Sequence, residues 1–220
     1  NHLLTFSNLP IYVMDYLGEI SALLTAVLWS GTSIAFSSAA EKIGSLQLNI
    51  NRMIFASLFL ISTIFIMGYG FDLSRSQFTN LIISGIIGLV IGDSFLFKSY
   101  QMIGARISML FMALSPAMSA ILAFIFLNET ISLLGIIGIL VTLSGIALVV
   151  LERNVNSKYQ ITTLGVVYGI LGAMGQAGGL IFAKFAFNEG HITGFIATFI
   201  RVFSSVIIFL PIMMILKKYR

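Results

Sequence analysis

The chain has 220 residues, of which 58% are hydrophobic and only 9% are charged, and its formal net charge is +4. Soluble domains carry about 45–50% apolar and about 25% charged residues, so this composition excludes an ordinary soluble domain. It also excludes a disordered chain, which needs low hydrophobicity. The apolar runs are long and continuous, whereas the strands of a membrane β-barrel alternate polar and apolar residues. The composition therefore predicts an all-α integral membrane protein with several spans.

The residues that usually perform chemistry are scarce. The chain has no cysteine, which excludes disulfides, thiolate metal sites and a cysteine nucleophile. The two histidines, His2 and His191, lie outside the apolar runs and lack the spacing of metal ligands. No phosphate-binding loop or intramembrane protease motif is present. We therefore expect no metal, no cofactor and no enzymatic activity. The positive net charge belongs to the loops of a membrane protein, and we expect no nucleic-acid partner.

Seven apolar segments are each about as long as the roughly 20 residues that a membrane-spanning helix needs. In chain order they cover about 18–40, 48–68, 80–100, 107–127, 132–151, 164–186 and 195–216. The loops between them are short, so consecutive helices are expected to be antiparallel neighbours.

A weak internal repeat divides the chain. Gly18 and Gly165 each open an apolar run and stand 147 positions apart, and Arg52 and Arg201 stand 149 positions apart, each early in the following helix. We predict an N-terminal segment (1–17), a five-helix unit (18–152), a linker (153–163) and the two-helix start of a second unit (164–220). Five is odd, so the second unit enters the membrane from the opposite side, as in inverted-repeat transporters. A complete second copy needs three more helices, so we expect ten in the natural protein.

Asp93 is the most informative single residue, because it lies inside the third apolar segment. A carboxylate there is costly and should face protein or a wet cavity. It is a candidate for substrate binding or proton coupling. The alternative is a structural acid that accepts a hydrogen bond from a neighbouring helix or pairs with Lys98.

Several other residues are candidates for specific roles. Arg52 and Arg201, about one turn into their helices, are candidates for gates or domain interfaces, or else extend to the lipid headgroups. Glu129 is a candidate cap for the fifth helix, where a carboxylate suits the positive end of the helix dipole. Pro116 predicts a kink in the fourth helix.

Three further residues are candidates to line a central cavity together with Asp93. Trp29 is the only tryptophan and lies in the middle of the first segment rather than at an interface. Gln176 occupies the equivalent place in the sixth segment, and Ser115 precedes the helix-breaking Pro116. Packing within the bundle is the alternative for each of them. Glycines spaced by four, such as Gly88 and Gly92 or Gly175 and Gly179, predict close helix contacts.

These motifs resemble one EamA-type repeat of the drug/metabolite transporter superfamily. The similarity is strongest over residues 92–106, and it continues through Leu114-Ser115-Pro116 and Leu127-Asn128-Glu129. Trp29-Ser30-Gly31 is similar to the Trp-Gly element of the family's first helix, and Arg52 to its second-helix arginine. The chain departs from the family at Asn128, where glycine is usual, and at Ser30. The resemblance implies a ten-helix carrier of small metabolites or drugs, often an exporter.

We therefore predict a multi-pass secondary transporter of the cell (plasma or inner) membrane that works by alternating access. Its partners would be the lipid bilayer, an unidentified small-molecule substrate, protons as a coupling ion, and a second copy in a homodimer. The alternative is a non-transporting membrane scaffold or assembly subunit, suggested by the glycine-rich packing faces.

Membrane orientation gives the first prediction. The resemblance implies a cytoplasmic N-terminus, whereas the distribution of lysine and arginine predicts the reverse. We adopt the family orientation, in which five crossings bring residue 157 to the outer side. A reporter enzyme fused after that residue should therefore be inactive if it requires the cytoplasm. A cytoplasmic signal from this fusion contradicts the assignment.

Overall fold

The computed structural model describes residues 16–151 and 160–215, and every regular element in these ranges is helical. This confirms the all-α membrane fold class expected from composition. The elements are α1 (Leu17–Ile43), α2 (Ser45–Met67), α3 (Arg75–Gly85), a π-helical segment (Ile86–Gly92), α4 (Asp93–Met112), α5 (Ser115–Leu127), α6 (Leu133–Leu151), α7 (Thr163–Asn188) and α8 (Gly194–Ile215).

Because α3, the π-helical segment and α4 are continuous, the described residues form seven helical stretches. Five of these are long and apolar enough to cross a membrane, and two are shorter apolar helices, 115–127 and 133–148. The predicted N-terminal segment (1–17) and linker (153–163) lie largely outside the described residues, as does the end of the predicted second unit (216–220).

The boundary between the third and fourth predicted segments lies at Gly104. This residue has φ 76° and ψ 164°, so the backbone leaves the helical conformation there. A side chain would be strained at this φ, which explains why glycine occupies the position. A second interruption, at 113–114, precedes Pro116 in the first turn of α5. Proline is tolerated there because its missing N–H would have no partner within the helix.

Glycines bring α7 against the π-helical segment at backbone distance. A Cβ atom added at Gly175 would lie 2.5 Å from Cα of Gly92, and one added at Gly179 would lie 2.9 Å from Cα of Gly88. The glycine spacing therefore serves packing within the chain, as the sequence predicted. Ser84 strengthens this contact by donating a hydrogen bond to the carbonyl oxygen of Gly179 at 2.5 Å.

α2 and α8 form a second contact between the two predicted units. Their buried side chains include Ile50 and Met53 from α2 and Phe209 and Met213 from α8, in one apolar cluster with Val90 of the π-helical segment. Both contacts involve the π-helical segment, so this part of the first unit contacts both helices of the second.

The glycine contact gives a second prediction. Gly175→Ala places a methyl group against the Gly92 backbone, which cannot move aside as a flexible side chain can. We expect a loss of about 1–3 kcal/mol of stability, the usual cost of overpacking.

Gly138→Ala is the matched control, because a Cβ atom there meets nothing within 4 Å. It should be neutral or slightly stabilising. Thermal unfolding of the two purified variants in detergent is the measurement. Equal midpoints would contradict the close packing of α7.

Candidate functional site

The π-helical turn before Asp93 leaves one backbone carbonyl oxygen free for a side chain of another helix. The N–H of Asp93 donates to the carbonyl oxygen of Gly88, five residues back, instead of to that of Leu89. The Leu89 carbonyl is therefore available, and the side-chain amide of Asn49 donates to it at 2.8 Å. π-helical turns occur frequently at functional sites. This one fixes α2 against the start of α4.

Asp93 is 3% exposed and forms an ion pair with Arg52 of α2. The Arg52 guanidinium also donates to Oδ1 of Asn49 at 3.2 Å and lies 5.1 Å from the centre of the Phe97 ring. Asn49 in turn donates to the hydroxyl of Ser94 at 3.1 Å. These hydrogen bonds support the buried pair, while Nε of Arg52 is buried without a partner among the described residues.

The second unit contributes Gln176 of α7. Its Nε2 donates to Oδ1 of Asp93 at 2.5 Å, so the carboxylate accepts from both units, through Arg52 and through Gln176. A single carboxylate therefore links α2, α4 and α7.

Arg201 of α8 borders the same region. A Cβ atom placed on Gly88 would lie 3.5 Å from Nη2 of Arg201 and 3.7 Å from Oε1 of Gln176. Arg201 and Arg52 are each the eighth residue of their helices, α8 and α2, so both lie deeper than the single turn predicted from sequence. At this depth Arg52 points to Asp93 rather than to the headgroups.

Four of the predicted residues thus lie around one region: Arg52, Asp93, Gln176 and Arg201. Lys98 is not the partner of Asp93, because its ammonium group lies on the exposed side of α4 and donates to Gln101 at 3.2 Å.

Trp29 and Ser115 are not brought into this cluster. Trp29 is 48% exposed on α1, and no hydrogen bond joins it to Asp93 in residues 16–151 or 160–215. Ser115 is buried, at the first position of α5. The grouping of these two with Gln176 around one cavity therefore stays a prediction. The helices that carry Trp29 and Gln176 share α4 as a neighbour but differ in the other, since α1 packs on α2 and α7 packs on the π-helical segment.

Glu129 does not cap the fifth helix of the prediction, which is α6. The hydroxyl of Ser132 accepts from the N–H of Gly135 at 3.1 Å and takes that role. Glu129 forms an ion pair with Lys184 of α7, with 2.6 Å between Nζ and Oε1. Asn128 explains the difference, since its left-handed backbone (φ 55°) ends α5 and turns the chain before Glu129.

Sequence reasoning missed Asn49 and Ser94. Asn49 is fully buried and precedes Arg52 by three residues, so one face of α2 presents both side chains. That spacing was a usable signal. The carbonyl that Asn49 binds was not predictable, because it depends on the π-helical hydrogen-bond shift.

The fold and the cluster define a polytopic helical membrane protein with an intramembrane charge site of the kind found in transporters. The sequence matches the EamA-like transporter family over residues 16–151, and the chain belongs to that family. This confirms the resemblance seen in the motifs. Residues 163–215, with α7 and α8, lie outside the match. A comparison with curated proteins finds no match.

The ion pair gives a third prediction. Arg52→Gln leaves Asp93 buried without its cation, and we expect a loss of about 3 kcal/mol, the lower end for a broken buried pair, because Arg52 is 28% exposed. The double variant Arg52→Gln/Asp93→Asn should recover part of this loss, because neither member of the pair is left charged without the other.

Lys184→Gln is the control, since it breaks an ion pair whose side chains are 45% and 42% exposed. It should cost less than about 1 kcal/mol. Unfolding midpoints of the unmodified protein, Arg52→Gln, Asp93→Asn and the double variant provide the cycle, with Lys184→Gln as the separate control. A double variant as unstable as the sum of its single variants would contradict a direct Arg52–Asp93 interaction.

Proposed function

We propose that this protein is a secondary transporter of small metabolites or drugs in the plasma or inner membrane, working as an exporter by alternating access. The unit α1–α6 and the unit that begins with α7 would rock against each other. The observation that supports this proposal is the Asp93 carboxylate, which accepts hydrogen bonds from both units within the apolar helices. Family membership supports transport as the general activity.

The proposed coupling step is protonation of Asp93. The ionised carboxylate holds Arg52 by charge and Gln176 by a hydrogen bond. A proton removes the negative charge, so the attraction for Arg52 is lost and the link between α2, α4 and α7 weakens. Deprotonation restores it. The state of one proton would thus select between two arrangements of the units.

The glycine contact is suited to be the pivot of this motion. Gly92 and Gly175 bring two backbones together without side chains to interlock, and Gly92 immediately precedes Asp93. The two units therefore touch at a smooth surface beside the residue that would gain and lose the proton.

The fourth prediction tests coupling. Asp93→Asn keeps the shape of the side chain but cannot gain and lose a proton. We therefore expect transport that is strongly reduced or no longer dependent on pH. The measurement is uptake of radiolabelled amino acids and carboxylates into proteoliposomes across imposed pH gradients, with a pH dye inside the vesicles.

Glu129→Gln is the matched control, because it removes an exposed carboxylate outside the cluster. It should leave flux and its pH dependence unchanged. Normal transport by Asp93→Asn at every external pH would sink the coupling role. No flux of any panel compound through the unmodified protein would instead favour the scaffold alternative.

A further inference from the structure

Arg201 is a partly buried arginine that forms no ion pair with another residue in the ranges 16–151 and 160–215. Its Nε atom is shielded from solvent and has no hydrogen-bond partner among residues 16–151 and 160–215. In the same ranges, the carboxylates that form ion pairs, Asp93 and Glu129, are held by Arg52 and Lys184. A guanidinium at the eighth position of an apolar helix is costly unless an anion accompanies it.

The equivalent arginine of the first unit shows what such a position requires. Arg52 has a carboxylate, an amide oxygen and an aromatic face around its guanidinium. Arg201 has the same place in α8 but shares this region with only one carboxylate, which already accepts from Arg52 and Gln176. Two guanidiniums and one carboxylate leave the cluster with an excess of one positive charge.

Polar atoms of Arg201 and Gln176 lie side by side next to Gly88. A Cβ atom added at Gly88 would be in van der Waals contact with Nη2 of Arg201, at 3.5 Å, and with Oε1 of Gln176, at 3.7 Å. The Arg201 side chain itself is only partly buried. The Gln176 amide spans from this region to Asp93, because its Nε2 donates to the Asp93 carboxylate at 2.5 Å.

We propose that Arg201 binds an oxyanion, the carboxylate or phosphate group of a small soluble solute. The planar guanidinium presents paired N–H donors that match such an anion. The bound anion balances the excess positive charge of the cluster. Only the side chain of Gln176 separates it from Asp93. That this anion is the substrate of a carrier rests on the proposed function. That Arg201 binds an anion rests only on the charges and contacts of the cluster.

Binding is tested with the full chain in nanodiscs of phosphatidylcholine, which carries no net charge. The probes are succinate and inorganic phosphate, with sodium chloride at equal ionic strength and neutral succinamide as controls. We expect a saturable rise in the unfolding temperature with at least one oxyanion, beyond that with chloride. The probe that acts at the lower concentration distinguishes a carboxylate from a phosphate site.

Arg201→Gln should abolish this rise. Lys98→Gln should retain it, because it removes the same charge from the exposed side of α4. If Arg201→Gln does not fold, Arg201→Lys supplies the test. Lysine keeps the positive charge but lacks the paired N–H donors of the guanidinium. The oxyanion concentration needed for the rise in unfolding temperature should therefore increase about tenfold. An unchanged concentration dependence in both Arg201 variants would overturn the proposal.

Two other results would also overturn it. One is no saturable rise with either oxyanion in the unmodified protein. The other is an Arg201-dependent rise only in nanodiscs that contain phosphatidylglycerol, which would assign the arginine to a lipid headgroup. Oxyanion binding without flux in proteoliposomes would reject the transport function and leave the anion site intact. Flux without Arg201-dependent binding would reject the anion site and leave the transport function intact.

Discussion

The ion pair between Arg52 and Asp93 is the interaction on which the rest of this structure depends. A carboxylate inside apolar helices is stable only when a cation and hydrogen-bond donors surround it. Meeting that requirement brings α2 to the start of α4 through Arg52, and α7 to the same point through Gln176. The cost of one buried charge therefore dictates how three helices meet.

Backbone geometry prepares this meeting. The π-helical segment moves the Asp93 N–H to the Gly88 carbonyl and so makes the Leu89 carbonyl available to Asn49. The glycines of the same segment admit α7 at backbone distance. One short stretch thus performs two tasks, since it orients the carboxylate and forms the surface on which the second unit rests.

The two arginines reveal an asymmetry within the approximate repeat. Arg52 and Arg201 occupy equivalent positions in α2 and α8, and each has a buried Nε without a partner among the described residues, but only Arg52 forms an ion pair with a described carboxylate. Repeated sequence positions place the same charge twice, while the surrounding helices supply a single carboxylate between them. This unequal balance makes the cluster chemically more than a structural ion pair, because it leaves one cation able to receive an anion.

The amino-acid sequence by itself determined the membrane class, the approximate spans and the importance of Asp93, because hydropathy and the cost of an intramembrane charge are local properties. It also identified Arg52, Gln176 and Arg201 from repeat spacing and similarity. Only the tertiary structure decided which candidates meet. Trp29 and Gln176 are equivalent in sequence, but only Gln176 donates a hydrogen bond to Asp93, and Glu129 forms an ion pair with Lys184 instead of capping a helix. Asn49 binds at the site because a shifted backbone hydrogen bond makes the Leu89 carbonyl available, and no residue spacing in the sequence indicates that shift.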